Sequence, residues 1–132
     1  MTHTVLATTE ARQHIASLGT PLARKVLDLL QFFEETYRRV FKFPSPPVHD
    51  PVAVAYVIAP ELFSVERMRV DIEVGSRLCA GQTVCDTWHM SQQEQNVDVA
   101  MRVDVDAIWD LLIDAVRACS ERAVGAAGQH PS

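Results

Sequence analysis

Apolar residues change their spacing twice along this chain, and the two changes limit the folds open to it. Up to about residue 58 they recur every three or four positions, the period of a helix with one buried face. Between residues 67 and 103 they recur every second position, the period of a strand. After residue 104 the helical period returns. The pattern predicts helices, then strands, then a helix.

Local signals sharpen this reading. A helix over 9–18 carries Ala11, Ile15 and Leu18 on one face, and Gly19 stops it because glycine tolerates the left-handed conformation of a helix end. Thr20 and Pro21 suit the cap and first residue of the next helix. That helix, 20–40, repeats Leu22, Val26, Leu29, Leu30, Phe33 and Tyr37 at helical spacing. The run KFPSPP then forces an extended turn. A short helix over 51–58 follows, apolar nearly all round and therefore expected to be buried, and Pro60 ends it.

A strand meander is predicted over 67–103. Met68, Val70, Ile72 and Val74 alternate with Arg69, Asp71 and Glu73, which predicts one buried face. TVCDTW (83–88) reads as a second strand. NVDVAMRV reads as a third, with Val97, Val99, Met101 and Val103 on one side. A closing helix over 105–122 starts near Asp104 or Asp106 and is expected to bury Ile108, Leu111, Leu112 and Ala115. Residues 1–122 form the predicted domain, and 123–132 a loose tail of small and polar residues. The chain opens on THTVLATTEA, a strand-end loop running into a helix, and not on a strand feeding a phosphate or metal loop. The order reads like the second half of something larger.

Bulk properties narrow the function classes. A chain of 132 residues can build one core. Its net charge of −5, with no basic stripe, argues against nucleic acid as a partner. No apolar run reaches the ~20 residues of a membrane span, and the N-terminus lacks the basic-then-apolar pattern of a secretory signal. Cys79, Cys85 and Cys119 are odd in number and lack metal-site spacing, so they read as buried thiols of a cytoplasmic protein.

His49-Asp50-Pro51 is the stretch with chemical potential. Its plainest reading is a helix start, with Asp50 as cap and Pro51 in the first helical position. That gives His49 no task, although an imidazole at the mouth of a buried helix is costly unless paired. A site for proton transfer or metal binding is the other reading. Elsewhere the chemistry is thinner. DVDAIWD has the spacing of an acidic metal loop, but at a strand-to-helix junction its aspartates read as caps. The arginines of YRR (37–39) complement a helix end. Cys79 and Cys85 are too far apart for a redox pair. His14, His89 and His130 lack carboxylates or cysteines at ligand spacing, whereas His3 sits where a strand end meets a helix and its role stays open.

VHDPVAVAYVIAPELF resembles the C-terminal signature of the inosine-uridine preferring nucleoside hydrolase family. THTVLAT, VDIEVGSRLCAGQTVCD and NVDVAMRVDVDAIWDLLIDAV resemble further family motifs, in the family's order, over about residues 2–117. The resemblance implies the C-terminal portion of an open α/β fold and hydrolysis of the N-glycosidic bond of ribonucleosides. It implies a calcium ion that holds the attacking water and the ribose hydroxyls. By position, Asp50 matches a calcium-ligand aspartate, and a carboxylate oxygen suits a hard cation. His49 matches the histidine that protonates the departing base or hydrogen-bonds near it. Phe33 and Tyr37 match aromatic positions over the bound base; the first offers no hydroxyl here.

The family's N-terminal D-x-D-x-x-x-D-D and N-x-x-x-x-x-E-x-N motifs have no counterpart in this sequence. The expectation is therefore a truncated hydrolase with its N-terminal half absent, inactive alone and not binding calcium by itself. The alternative is a non-catalytic interaction or dimerisation module, acting as a homo-oligomer or on a full-length family member.

Overall fold

The computed structural model describes residues 1–42 and 45–127, with side chains as far as residue 124. Four α-helices and four strands follow the predicted order: α1 (Thr9–Ser17), α2 (Pro21–Phe41), α3 (His49–Ile58), β1 (Phe63–Met68), β2 (Val70–Ile72), β3 (Thr83–Cys85), β4 (Val97–Val103) and α4 (Val105–Ala127). The chain forms two compact units, one of the helices (residues 1–62 and from 104 onward) and one of the strands (Phe63–Val103).

In the helical unit, the ends form as their residues require. The Thr8 hydroxyl accepts the Ala11 N–H at 3.3 Å and caps α1. Gly19, at φ +63°, makes the left-handed step after α1 that a side chain would strain. The Thr20 hydroxyl accepts the Ala23 N–H at 3.1 Å and caps α2, with Pro21 first in the helix. Ile15, Ala23 and Ile113 form one buried apolar cluster, and Leu18, Val26, Leu27, Leu30, Trp109 and Val116 pack around it. Thr20 and the buried Ser120 of α4 meet hydroxyl to hydroxyl at 2.9 Å, and Ser120 donates to the Val116 carbonyl at 2.8 Å. Because each hydroxyl has one proton, the donors run in one order: Ala23 N–H to Thr20, Thr20 to Ser120, Ser120 to Val116.

The structure corrects several burial expectations. On α4, Ile108 and Ile113 are buried, Leu111 and Leu112 are half-buried, and Ala115 is exposed. The helix runs through residues 123–127, where alanines favour helix over a loose tail; residues 128–132, and His130 with them, lie outside the described residues. On α3, only Val52 and Ala55 are buried, whereas Val54, Val57 and Ile58 are exposed, Val57 to 81%. Cys79 and Cys85 are half-buried and Cys119 is exposed, so none is the buried thiol expected.

The strand unit is a nest of two antiparallel pairs, not a meander: β1 pairs with β4 and, inside them, β2 pairs with β3. The register runs from Phe63 opposite Val103 to Met68 opposite Val97, with an irregularity between Ser64 and Val65. The run from Met68 to Val74 is split at Arg69, so its two halves serve different pairs. Asn96 sits at the split, its side-chain amide taking both backbone groups of Val70, from N–H at 2.8 Å and to C=O at 2.9 Å. The expected buried face holds at Met68 and in part at the half-buried Val70; Ile72 and Val74 are exposed, because a short two-stranded pair presents too little surface to cover them. TVCDTW is a strand only as far as Cys85. Beyond it, Asp86 folds the chain back by accepting the Met90 and Ser91 N–H groups, at 3.0 and 2.7 Å.

Candidate functional site

Three buried residues, Pro46, Pro47 and Val48, bring the chain to the His49-Asp50 pair. Proline lacks an N–H and holds an extended approach, so the segment needs partners that ask nothing of either proline nitrogen. Leu6 and Pro47 form an antiparallel bridge in which Ala7 N–H donates to the Pro46 carbonyl at 2.9 Å and Val48 N–H to the Val5 carbonyl at 3.0 Å. This bridge ties residues 5–7 to residues 46–48 and carries their neighbours, Thr2, His3 and His49, to one place.

The helix then begins two residues earlier than the cap reading requires. Val48 is the cap position of α3 and makes no side-chain cap bond, His49 is first, Asp50 second and Pro51 third. Asp50 is therefore not the cap. The extended prolines and their bridge already fix the entry of the helix, and no capping carboxylate is needed. Asp50 is exposed in the first turn, where the helix dipole favours a negative charge. Among the described residues nothing pairs with its carboxylate.

His49 is half-buried and held on two sides. Its Nδ1 lies 2.8 Å from the Thr2 hydroxyl, and the His3 ring meets it edge to face, with centroids 4.8 Å apart and planes at 83°. The pairing that the cap reading could not supply is thus made from 47 positions away.

His49 and Asp50 share a pocket of about 280 Å³ with Phe33 and Tyr37. One wall is α2, through Val26, Leu29, Leu30, Phe33 and Tyr37, and the opposite wall runs from Pro46 to Pro51. The Phe33 and Tyr37 rings are one helical turn apart and near-parallel, at 6.3 Å and 26°. Phe33 is 51% exposed, because it lines this cavity on the α2 stripe beyond Val26 and Leu30, which also pack against the core. An apolar cavity with a few polar groups at one end is the usual form of a small-molecule site. All four sequence-predicted residues therefore meet. Sequence reasoning missed Thr2 as the partner of His49; its only signal was its place beside His3 in THTVLAT.

Calcium takes 6–8 oxygen ligands. Among the described residues no three His, Cys, Asp or Glu side chains gather as a metal would require. Asp50 offers one carboxylate, so the described residues do not by themselves fit a calcium ion. The acidic stretch 104–110 is no exception, since Asp104 accepts the Ala107 N–H at 3.1 Å and caps α4. Arg38 and Arg12 both pair with Glu34. His89 has an acidic partner that its local sequence did not suggest, with Nε2 2.8 Å from Glu66 Oε1.

The comparisons agree with the motifs quoted from the sequence. Residues 1–110 match the family model of the inosine-uridine preferring nucleoside hydrolases. The chain belongs to that family. It is 46% identical over 100 residues to a Dictyostelium discoideum protein named "Probable ribonucleoside hydrolase", covering 76% of this chain and 29% of that protein. It is 34% identical over 116 residues to the inosine-uridine preferring nucleoside hydrolase of Crithidia fasciculata, covering 88% of this chain and 37% of the relative. The fold matches a purine-preferring ribonucleoside hydrolase from Gardnerella vaginalis with a TM-score of 0.73 at 21% identity, over 90% of this chain and 38% of that one. The chain thus spans about a third of the length of the relatives it matches. Among the described residues no helix is long and apolar enough to cross a membrane.

Proposed function

We propose that this chain carries the leaving-group side of a site that hydrolyses the N-glycosidic bond of ribonucleosides, releasing ribose and a base. One observation supports this most: His49, Asp50, Phe33 and Tyr37 line a single pocket. Phe33 and Tyr37 offer ring faces on which a base can stack. As the bond from the base nitrogen to the anomeric carbon breaks, its electron pair goes to the base, and water attacks the carbon and gives up a proton to a general base from outside the described residues. A purine anion is a poor leaving group, and His49 supplies the proton that neutralises it. Asp50 is one carboxylate ligand for calcium, whose other ligands come from outside the described residues. The three free cysteines suit a reducing compartment, and the cytoplasm is the proposed setting.

On this reading the chain alone releases no ribose from inosine, and the N-terminal portion of a family member, joined or mixed with it, completes the site. In that assembly His49→Ala lowers hydrolysis of inosine by about 10²–10⁴-fold, the range of general acid catalysis. A nitrophenyl riboside, whose leaving group needs no proton, is spared. Equal losses on the two substrates would remove the acid role.

The exposed Val54, Val57 and Ile58 of α3 favour a second reading, a non-catalytic module that binds another copy or a longer family member through this face. An assembly that forms with a longer family member yet leaves its nucleoside hydrolysis unchanged would select this reading.

A further inference from the structure

We propose that Thr2 is a positioning residue for His49: its hydroxyl accepts from Nδ1–H, holds the ring in the Nδ1–H tautomer and leaves Nε2 to exchange a proton with the pocket. The inference rests on the reading of His49 as proton donor for its purpose, but its geometry stands apart from that reading. The 2.8 Å separation of Thr2 Oγ1 and His49 Nδ1 is that of a well-formed hydrogen bond. Thr2 is not on a loose end. It opens a 3₁₀ turn, Thr2–Thr4, in which Val5 N–H returns to the Thr2 carbonyl at 3.3 Å, while the Thr4 hydroxyl and N–H both reach the Met1 carbonyl, at 2.7 and 3.0 Å. Immediately after it, the two backbone bonds of the Leu6–Pro47 bridge join this turn to the segment that delivers His49. The hydroxyl and the imidazole are therefore presented to each other by paired backbone.

The direction of the bond follows from what a proton donor needs. A doubly protonated imidazole that gives up its Nε2 proton is left as the Nδ1–H tautomer. An acceptor at Nδ1 stabilises the ring both before and after the transfer, so nothing has to reorient. A hydroxyl oxygen can accept this bond. The edge-on His3 ring restrains rotation of the same imidazole from a second side. His49 also lines the pocket, and Nε2 is the ring nitrogen that the Thr2 bond does not occupy.

The test is long-range ¹H–¹⁵N NMR of the full chain labelled at histidine, recorded where the imidazoles are neutral, because ¹⁵N shifts report which nitrogen holds the proton. The wild-type chain should show His49 as Nδ1–H, the tautomer that free histidine disfavours. Thr2→Val should shift the tautomer ratio toward Nε2–H by about fivefold, the weight of one ordinary hydrogen bond, while Thr2→Ser retains the wild-type ratio. An Nε2–H tautomer in the wild-type chain overturns the proposal whatever the variants do. So does a Thr2→Val chain with the wild-type helix content by circular dichroism and unchanged His49 shifts. If Thr2 controls the tautomer but His49→Ala fails to separate inosine from the nitrophenyl riboside in the completed site, the positioning role stands and the proton-donor reading falls.

Discussion

Asp50 and His49 are adjacent, yet their settings differ. Asp50 looks like a cap in the sequence and is the second residue of α3 in the structure, exposed and unpaired among the described residues. Asp50→Asn should therefore cost little stability, about 0.5 kcal/mol or less for the lost charge near the helix start. Thermal melts of the two chains check this, and a loss of several kcal/mol would show that the carboxylate holds the helix after all. In a completed hydrolase site the same substitution should weaken calcium binding, read by calorimetry, while His49→Ala leaves it intact. His49 is the reverse case, a residue without a structural task in its local sequence that gains two partners through the fold, Thr2 and His3.

At the scale of elements, helix ends and turns carry much of the order. Thr20 caps α2 and also reaches Ser120 on α4, so one hydroxyl serves two helices. Thr20→Ala should cost about 1–2 kcal/mol, and Ser120→Ala less. In a double-mutant cycle followed by denaturant unfolding the two should couple; strict additivity would mean that the contact carries no energy. In the strand unit, carboxylates tie the turns. Glu73 accepts the Gly75 and Ser76 N–H groups at 2.6 and 2.8 Å, and the Ser76 bond above all lowers its pKa. Asp86 is lowered likewise by the Ser91 and Met90 N–H groups, and Asp71 by its bond from Arg69. A lowered folded-state pKa gives stability that is complete above the ordinary carboxylate range, about pH 4, and is lost as pH falls through the folded value. The amide signals of Gly75 and Ser76 should therefore move with Glu73, and those of Met90 and Ser91 with Asp86, each on acidification below the range where that carboxylate titrates when free. If they respond only at the ordinary carboxylate pH, the turns are not held by these bonds.

For the whole molecule, the chief consequence is exposed apolar surface. The α3 face and the open strand surface leave Val57, Ile58, Val74 and Trp88 largely in water, and surface of this kind drives association. The chain alone should self-associate in sedimentation velocity, and Val57→Asp should shift it toward monomer. A clean monomer at high concentration would show that this face needs no cover. Local spacing and side-chain chemistry were enough to read the order of helices and strands and the cap at Thr20, to narrow the start of α4 to Asp104 or Asp106, and to single out four residues that share the pocket lining, because periods and caps span only a few residues and the family motifs lie within short runs. Burial on α3 and on the strands could not be read this way, since apolar spacing tells which face is suited to burial and not whether anything covers it. The nesting of β2 and β3 inside β1 and β4, the loss of the cap at Asp50 and the meeting of Thr2 with His49 were decided by the tertiary structure. The nesting depends on the β1–β4 and β2–β3 pairings and the other two on the Leu6–Pro47 bridge and the Thr2 contact, and no local pattern encodes which distant partner a backbone group will find.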